Sequence, residues 1–343
     1  MSLGNIPHSP ELADKKSHST SVLPRSTMHT ILMQTILGAG GAIGNPLARE
    51  LLRRGEQVRL VSRNPKKIDG VKETVAANVS DADQVNRAVA GSNVVYLVVG
   101  LRYDLKVWQA LWPGIMRNTI EACKRAGAKL VFFDNVYMYG RVSGPMTEQT
   151  PFNPCSKKGE IRARIAMALL DEVKAGNLKA MIARAADFYG PDTRTGIPNV
   201  LVFDKFATGA KASWLINDSV PHSFTYTPDA AKGLVMLAER ETSWNQTWHL
   251  PTASHPLNGN QLIQLSAKEF GVSPKYRILS GMLLKLGGWF DPAVRELNEM
   301  LYQYDSEYLF DSTKFQNQFG FQPTPYPEGI RAVVESYKHP PQK

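Results

Sequence analysis

The sequence predicts an α/β protein built on a doubly wound parallel sheet, with a smaller lobe formed by the C-terminal part of the chain. Three features of the 343 residues predict it. Apolar runs of strand length alternate with helical patterns from Met33 to about Arg184. The first run ends in three glycines spaced three apart, and a helical pattern follows directly. Beyond about Asp187 the alternation becomes irregular, and Pro, Trp and Tyr become more frequent.

The composition is that of a globular protein, with 43% hydrophobic and 21% charged residues. The formal charge of +9 is spread along the chain without a block of Lys and Arg, so we expect no nucleic-acid partner. Because the chain has no run of about eighteen apolar residues and no recognisable signal peptide, we expect a cytoplasmic protein without a membrane partner. Two cysteines and seven dispersed histidines predict neither a disulfide framework nor a metal site.

The glycine-rich stretch Thr35–Gly44 predicts a dinucleotide-binding turn of the Rossmann type. Glycines are needed where φ is positive, where the backbone approaches a pyrophosphate, and where helix and strand pack closely. The N-terminus of the following helix then offers free N–H groups to the anion. The alternative is a glycine turn with a purely structural role. The residues expected to bind the cofactor here are Gly38, Ala39, Gly40, Gly41, Ala42, Ile43 and Gly44.

The second strand, Gln57–Ser62, ends in Ser62 and Arg63, where an NAD-preferring site usually has an acidic residue for the ribose 2′-hydroxyl. Arg63, with Lys66 and Lys67 nearby, suits a 2′-phosphate better. We therefore predict NADP as the cofactor, with NAD as the weaker candidate. The alternative is that these three cations form an ordinary solvated loop.

The later elements continue the alternation of strands and helices. In parallel sheets ligands bind beyond the carboxyl ends of the strands, so Asn78 and Val79 after the third strand, and Val99 and Gly100 after the fourth, are further cofactor candidates. Asp81, Asp104 and Asp229 are expected to cap helices. Strands are predicted at 73–78, 93–100, 129–133 and 179–184, and helices at 82–90, 105–126, 159–173, 228–239 and 259–270.

Four stretches together resemble the extended short-chain dehydrogenase/reductases, the NAD(P)-dependent epimerase/dehydratase group. They are the glycine spacing, Phe133–Gly140, Phe188–Pro191 and Phe224–Ala231. The resemblance implies a small-molecule substrate and a homodimer formed by the helices at 105–126 and 159–173. Residues 33–190 are expected to form the NAD(P)-binding domain, and residues 191–343 mainly a substrate-binding lobe with some elements returning to that domain. Residues 1–32, which show no periodicity, are expected to be a disordered tail or a segment added by cloning.

The catalytic residues that the resemblance implies are replaced in this chain. The family uses a Ser or Thr at the end of the fifth strand and a Tyr-x-x-x-Lys pair on the next helix. The corresponding positions here hold Asn135, Lys158 and Arg162. The Lys-x-x-x-Arg pair resembles the isoflavone-reductase-like branch, so Lys158, partly desolvated beside Arg162, is a candidate general base. Alternatively the two cations bind the cofactor ribose or phosphate, or form a solvated helix face.

We therefore predict an atypical NADP-dependent oxidoreductase that acts on a small carbonyl or alcohol metabolite, with Lys158, Asn135, Tyr137 and Arg162 at the reacting end. The alternative is a catalytically inactive NAD(P)-binding redox sensor or scaffold. Further candidates for contact with the substrate or for proton transfer are Tyr103, Tyr139, His222, Asp134 and Asp187.

Overall fold

The computed structural model describes residues 33–191 and 193–339, and the tail predicted for residues 1–32 lies outside them. The strands within the described ranges are β1 (Met33–Leu37), β2 (Gln57–Ser62), β3 (Glu73–Ala76), β4 (Val94–Leu97), β5 (Lys129–Asp134), β6 (Ala180–Arg184), β7 (Asp187–Tyr189), β8 (Ala212–Leu215), β9 (Phe224–Tyr226), β10 (Thr247–His249) and β11 (Tyr276–Leu279).

The α-helices in the same ranges are α1 (Gly44–Arg53), α2 (Ala82–Val89), α3 (Leu105–Ala126), α4 (Lys157–Lys174), α5 (Asp204–Ala207), α6 (Thr227–Glu239), α7 (Gly259–Phe270), α8 (Gly281–Phe290), α9 (Pro292–Leu297), α10 (Thr313–Phe319) and α11 (Tyr326–Lys338). Short 3-10 turns occur at Tyr137–Tyr139, Glu241–Ser243 and Asn298–Gln303. None of the helices described is both long and apolar enough to cross a bilayer.

Seven strands form one parallel sheet in the order β10-β6-β5-β4-β1-β2-β3. Strands β4 and β6 are buried at every residue, as expected for the interior of a sheet covered on both faces. One core packs α2, α3 and α4 on one face, and a second packs α1 and α6 on the other. The predicted fold class is confirmed. The strand order reverses at β1, between β2 and β4, and doubly wound sheets bind ligands at such a point.

Two of the three helix N-caps predicted from the sequence are present. Asp81 and Asp104 each accept a hydrogen bond from a backbone N–H three residues on, so they cap α2 and α3 as predicted. The cap predicted at Asp229 is wrong. Helix α6 has Tyr226 as its N-cap, and Asp229 lies in the first turn, where its Oδ2 accepts the N–H of Thr324 at 2.6 Å. A distant segment therefore uses the carboxylate that the sequence assigned to the helix end.

The C-terminal part of the chain both extends the main sheet and builds a separate core. Strand β10 pairs with β6 at the sheet edge, whereas β7 pairs with β9 and β8 with β11 in two small parallel sheets. Helices α7 and α11 pack in a third core. Helices α8 and α9 form a hairpin followed by the 3-10 turn Asn298–Gln303. Helix α9 and this 3-10 turn carry Glu296 and Glu299 to the N-termini of α3 and α4, respectively.

Candidate functional site

The glycine turn lies between the ends of β1, β2 and β4. The N–H groups of Gly38 and Ala39 donate to the Val61 carbonyl at 3.0 and 3.1 Å, which holds the turn against the end of β2. Gly38 has φ +107°, and a Cβ on it would lie 2.8 Å from backbone atoms of Val98 and Val99. A Cβ on Gly44, the first residue of α1, would lie 2.7 Å from the Gly38 carbonyl oxygen. Both positions therefore require glycine.

The rest of the turn is open to a ligand. Gly40 and Gly41 are exposed, and Ala39 and Ala42 are half-buried. Ile43, the N-cap of α1, makes no side-chain hydrogen bond that would satisfy the first amides of the helix. A glycine backbone beside an uncapped helix N-terminus is suited to a pyrophosphate. The residues present thus fit a dinucleotide.

The end of β2 is basic. Ser62 is half-buried, and Arg63, Lys66 and Lys67 are exposed. Within residues 33–191 and 193–339 none of these three cations takes part in an ion pair. Their charge is therefore unneutralised by carboxylates of the described chain and is accessible to an anion.

The other predicted cofactor residues lie at the same edge of the sheet. Val99 and Gly100 follow β4. Backbone atoms of Val99 lie close to Gly38, only 2.8 Å from the position that a Cβ on Gly38 would take. Asn78 follows β3, but its side-chain oxygen accepts hydrogen bonds from the N–H and hydroxyl of Ser80. Val79 is half-buried against the core of α2 and α3. The structure thus brings Val99 to the turn, with Gly100 next to it in the chain, whereas the Asn78 side chain is hydrogen-bonded within its own loop.

Lys158 is completely buried near the N-terminus of α4 and is held by the hairpin of α8 and α9. Its Nζ donates to Glu296 Oε2 and Glu299 Oε1, each at 2.6 Å, and to the Glu296 carbonyl at 3.0 Å. The same two carboxylates accept the N–H groups of Leu105 and Lys157, the first residues of α3 and α4, each at 2.8 Å. A lysine ammonium has three donors, and all three are used here.

Arg162 has a separate partner and does not act as a second cation beside Lys158. Its guanidinium donates through Nε and Nη2 to Asp134 Oδ1, where the Nε distance is 2.7 Å. The group lies 4.5 Å from the ring centre of Trp112 and 5.0 Å from that of Phe132. Arg162 and Asp134 are both buried. This pair joins α4 to the end of β5, so the expected exposure of Arg162 to the cofactor is not found.

Asn135 and Tyr137 form a tight turn after β5. The Asn135 side-chain oxygen accepts the Tyr137 N–H at 3.1 Å. The Tyr137 ring stacks on Trp108 with 6.3 Å between ring centres. Burial raises the pKa of Tyr137 above its usual value, and the charge of Asp187 adds to the effect. Burial also raises the pKa of Tyr103, whose ring lies 4.6 Å from the Lys158 ammonium. Both hydroxyls therefore stay protonated near neutral pH.

The Tyr139 side chain is buried, and its hydroxyl is hydrogen-bonded within the protein. Its hydroxyl accepts from Arg184 Nη1 at 2.7 Å and lies 2.9 Å from His249 Nε2. Burial lowers the pKa of His249 to about 3, so its ring is neutral. Nδ1 of His249 lies 2.7 Å from the Asp311 carbonyl, which can only accept, so Nδ1 carries the proton and Nε2 accepts from Tyr139. Tyr139 is thus a structural residue, and Tyr137 is the half-buried tyrosine of this turn.

Asp187 and His222, singled out separately from the sequence, lie together. Asp187 Oδ2 accepts the Tyr304 hydroxyl at 2.6 Å and lies 3.1 Å from His222 Nε2. His222 is buried between aromatic rings, with Tyr304 at 4.6 Å and Tyr308 at 4.3 Å between ring centres. The Asp187 charge raises the pKa values of Tyr137, Tyr304 and Tyr308, in each case after the larger effect of burial. One carboxylate therefore lies among several neutral hydroxyl groups, an arrangement that can hydrogen-bond an oxygen atom.

A model of the NAD dependent epimerase/dehydratase family matches residues 34–249. The chain belongs to the NAD dependent epimerase/dehydratase family. The resemblance drawn from the glycine spacing and the segment after β5 is thereby confirmed, together with the family's NAD-binding enzyme fold. In this member of the epimerase/dehydratase family, no group of His, Cys, Asp and Glu suited to a metal ion occurs among the described residues.

Several similar proteins share little sequence identity with this chain. An uncharacterised protein of Sinorhizobium fredii is 25% identical over 209 residues, or 58% of this chain, and the match spans about half (52%) of that relative's length. A Streptomyces protein named 3-diazoavenalumate denitrifying reductase is 23% identical over 277 residues, which cover 74% of this chain and 87% of the relative. The crystal structure of Thermus thermophilus UDP-glucose 4-epimerase with NAD has a TM-score of 0.73 at 17% identity, covering 90% of this chain and 100% of that one. At this identity the likeness shows the epimerase/dehydratase fold alone.

The sequence did not identify the site residues that come from α9 and from the 3-10 turn and residue that follow it. Glu296 and Glu299 were not candidates, yet they bind Lys158. Tyr304, which donates to Asp187, was not singled out either. Part of this arrangement could have been predicted. A buried lysine is expected to need carboxylate partners, although the sequence did not show where those partners lay.

Proposed function

We propose that the protein is an NADP-preferring oxidoreductase that acts on a small carbonyl or alcohol metabolite. The observation that carries this proposal is the basic end of β2 beside the glycine turn. Arg63, Lys66 and Lys67 are exposed there without ion pairs in the described chain, and Ser62 occupies a place suited to an acidic residue in NAD-preferring sites. A 2′-phosphate would neutralise this charge, whereas a 2′-hydroxyl would not.

The glycine turn from Gly38 to Gly44 would hold the pyrophosphate, Arg63 the 2′-phosphate, and Val99 and Gly100 would border the same nucleotide. When bound, the nicotinamide supplies the hydride chemistry. The protein's own contribution is to bind the nucleotide, orient the substrate and move one proton.

At the reacting end, the Tyr137 hydroxyl donates a hydrogen bond to the substrate oxygen, and Asn135 fixes the turn that carries it. Asp187, held by Tyr304 and His222, receives or returns the proton through its carboxylate. Lys158 acts as a positioning residue in this scheme, because its three donors hold Glu296 and Glu299. The general-base role predicted for Lys158 would require the release of one of these carboxylates, and Arg162 acts by holding Asp134.

The test is a fluorescence titration of the purified chain with NADPH and NADH, using Arg63→Ala and a matched control, Arg125→Ala. Arg125 is exposed in the last turn of α3, at the opposite end of the helix from the cleft edge of the sheet. We expect NADPH to bind at least about tenfold more tightly, equivalent to about 1.4 kcal/mol, and only Arg63→Ala to remove the difference. Equal affinities for the two nucleotides in the unmodified chain would refute the NADP preference.

A second function, a non-catalytic NADP-binding sensor, is favoured by one observation. Lys158 and Arg162, at the family's catalytic positions, are both engaged by carboxylates of the chain itself. A screen of aldehydes and ketones with NADPH separates the two functions. Turnover that is lost in Tyr137→Phe with nucleotide affinity unchanged supports the enzyme, whereas tight NADPH binding without turnover of any carbonyl supports the sensor.

A further inference from the structure

Helix α8 exposes a continuous apolar face. Its outward side chains are Met282 at 76% exposure, Leu283 at 52%, Leu286 at 48%, Trp289 at 79% and Phe290 at 88%. They follow one another at helical spacing and, at about 100° per residue, cover an arc of about 120°. Ile278 on β11, 45% exposed, precedes the helix. Side chains of this size are ordinarily buried, so the face is suited to a partner.

The opposite face of α8 is already packed. Leu284 is buried in a small core with Leu215 and Tyr304. A Cβ on Gly288 would lie 3.0 Å from the Cα of Arg295, so α9 approaches the helix closely on that side. The exposed residues therefore cannot turn inward without displacing the contacts of α9. The outward direction of the apolar face is fixed by the fold.

The size of the face is comparable with that of the largest apolar patch on a typical monomer. Aromatic side chains bury about 150–250 Å² each when covered, so Trp289 and Phe290 alone expose on the order of 300 Å². The largest apolar patch of a typical monomer is about 300–600 Å² in total. Met282, Leu283 and Leu286 add to it. The face is thus large enough to drive association through burial of apolar surface.

The charges beside this face are mostly basic. Lys285 is exposed at one border of the arc. Arg277 on β11 and Arg295 on α9 are also exposed and close in the chain, although Arg295 lies on the side of α8 that packs against α9. Among the described residues none of these three cations takes part in an ion pair. The acidic residue at the end of the helix, Asp291, caps α9 through the Ala293 N–H.

We propose that α8 docks the protein onto the surface of an anionic lipid bilayer. Trp, Phe and Leu on one face with a Lys at its border are typical of helices that lie in a membrane interface. Anionic lipids would also satisfy the unpaired cations and attract a chain of formal charge +9. A second copy is a poorer occupant, because a two-fold contact through this face brings Lys285 at its border toward the Lys285 of the other copy. This inference does not depend on the proposed enzymatic activity.

Tryptophan fluorescence gives a selective reporter of docking. The chain has six tryptophans, and five of them are no more than 6% exposed, whereas Trp289 is 79% exposed. We expect vesicles of phosphatidylglycerol and phosphatidylcholine to shift the emission of the full chain to shorter wavelength and to protect it from acrylamide. The Trp289→Phe variant should show neither change, although it should still sediment with the vesicles.

Sedimentation with vesicles then tests the face itself. The double variant Trp289→Ser/Phe290→Ser should lose affinity by roughly tenfold or more, since two large apolar side chains no longer enter the interface. Lys285→Glu should reduce the preference for phosphatidylglycerol over phosphatidylcholine alone. The matched control is Met167→Ser, which changes an apolar side chain of 47% exposure on α4 and should bind as the unmodified chain does.

Three outcomes would overturn the proposal. The first is that the full chain does not bind phosphatidylglycerol vesicles. The second is that the double variant binds them as well as the unmodified chain, which would show attraction through overall charge only. The third is that light scattering shows a dimer that the double variant converts to a monomer, which would assign the face to a second copy. The substituted residues are exposed, and an unchanged thermal unfolding temperature would confirm that each variant is folded.

Discussion

Replacing Lys158 by methionine should destabilise the folded chain by about 3 kcal/mol. The lysine is fully buried, and its removal leaves Glu296 and Glu299 facing each other without the cation they share. Breaking a buried ion pair from one side costs about 3–5 kcal/mol. The two glutamates are 17% and 23% exposed, which allows partial solvation and favours the lower end of that range.

Thermal unfolding at pH 7 measures the effect. About 2 °C per kcal/mol applies to large domains, so the unfolding temperature of Lys158→Met should fall by about 6 °C. The neighbouring Lys157→Met is the matched control, because that side chain is 63% exposed and, within the described residues, its ion pair is with Glu160 across one turn. Hydrogen exchange should also increase in the hairpin at 281–303.

The same pair of measurements separates a positioning role from a catalytic one. In a Lys158→Met chain, Glu296→Gln/Glu299→Gln should restore most of the lost stability, because no uncompensated carboxylate remains. If Lys158→Met unfolds within about 1 °C of the unmodified chain, or no differently from Lys157→Met, the ion cluster contributes little to folding stability. That result would refute the predicted loss of about 3 kcal/mol. Loss of turnover without loss of stability would return Lys158 to the catalytic role that the sequence predicted.

Three further predictions concern other parts of the chain. Gly44→Ala should cost about 1–3 kcal/mol and weaken NADPH binding, since its Cβ would lie 2.7 Å from the Gly38 oxygen, whereas Gly41→Ala, with 3.4 Å to the same atom, should cost less; equal unfolding temperatures would contradict this. Burial lowers the pKa of His249 from about 6.5 to about 3, so the unfolded chain binds the extra proton between these values and stability falls as pH decreases, by up to about 1.4 kcal/mol per pH unit. His249→Gln should show a shallower pH dependence in urea unfolding between pH 6 and 4, and parallel curves would exclude His249 as the cause. One thiol per native chain should react with a thiol reagent, because Cys155 is exposed while burial raises the pKa of Cys123 to about 12; rapid reaction of both would show that Cys123 is accessible.

The parts of the fold that sequence predicts well are those decided by neighbours in the chain. The glycine turn depends on contacts among Gly38, Gly44 and the adjacent strand ends, and steric rules make these glycines recognisable in advance. The caps at Asp81 and Asp104 involve amides three residues away. A local rule is sufficient in each case, because the interacting groups are fixed by backbone geometry.

The site residues that sequence missed depend on distant segments. Glu296 and Glu299 reach Lys158 from 138 and 141 residues away, and no local pattern marks them as its partners. Arg162 was expected at the cofactor, but Asp134, 28 residues earlier, takes its guanidinium. The buried Arg162 guanidinium is therefore paired with a carboxylate of the protein interior, Asp134.

Helix α8 was not recognised from sequence for a different reason. Both its inward residue Leu284 and its outward residues Trp289 and Phe290 are apolar, so it lacks the polar face that marks a surface helix. The segment is also too short for the length criterion of a membrane span. Its unusual character is visible only when the fold shows which side is packed.

The pairing of β6 with β10 makes the order of synthesis relevant to this chain. All residues of β6 (Ala180–Arg184) are buried, but the strand that protects its outer side, Thr247–His249, is added only after more than sixty further residues have left the ribosome. Until then the growing polypeptide presents an apolar, hydrogen-bonding edge that can recruit strands of other nascent chains. A fragment ending near residue 190 would keep that edge permanently. Such a fragment should therefore aggregate, although it holds the glycine turn and every other strand of the main sheet.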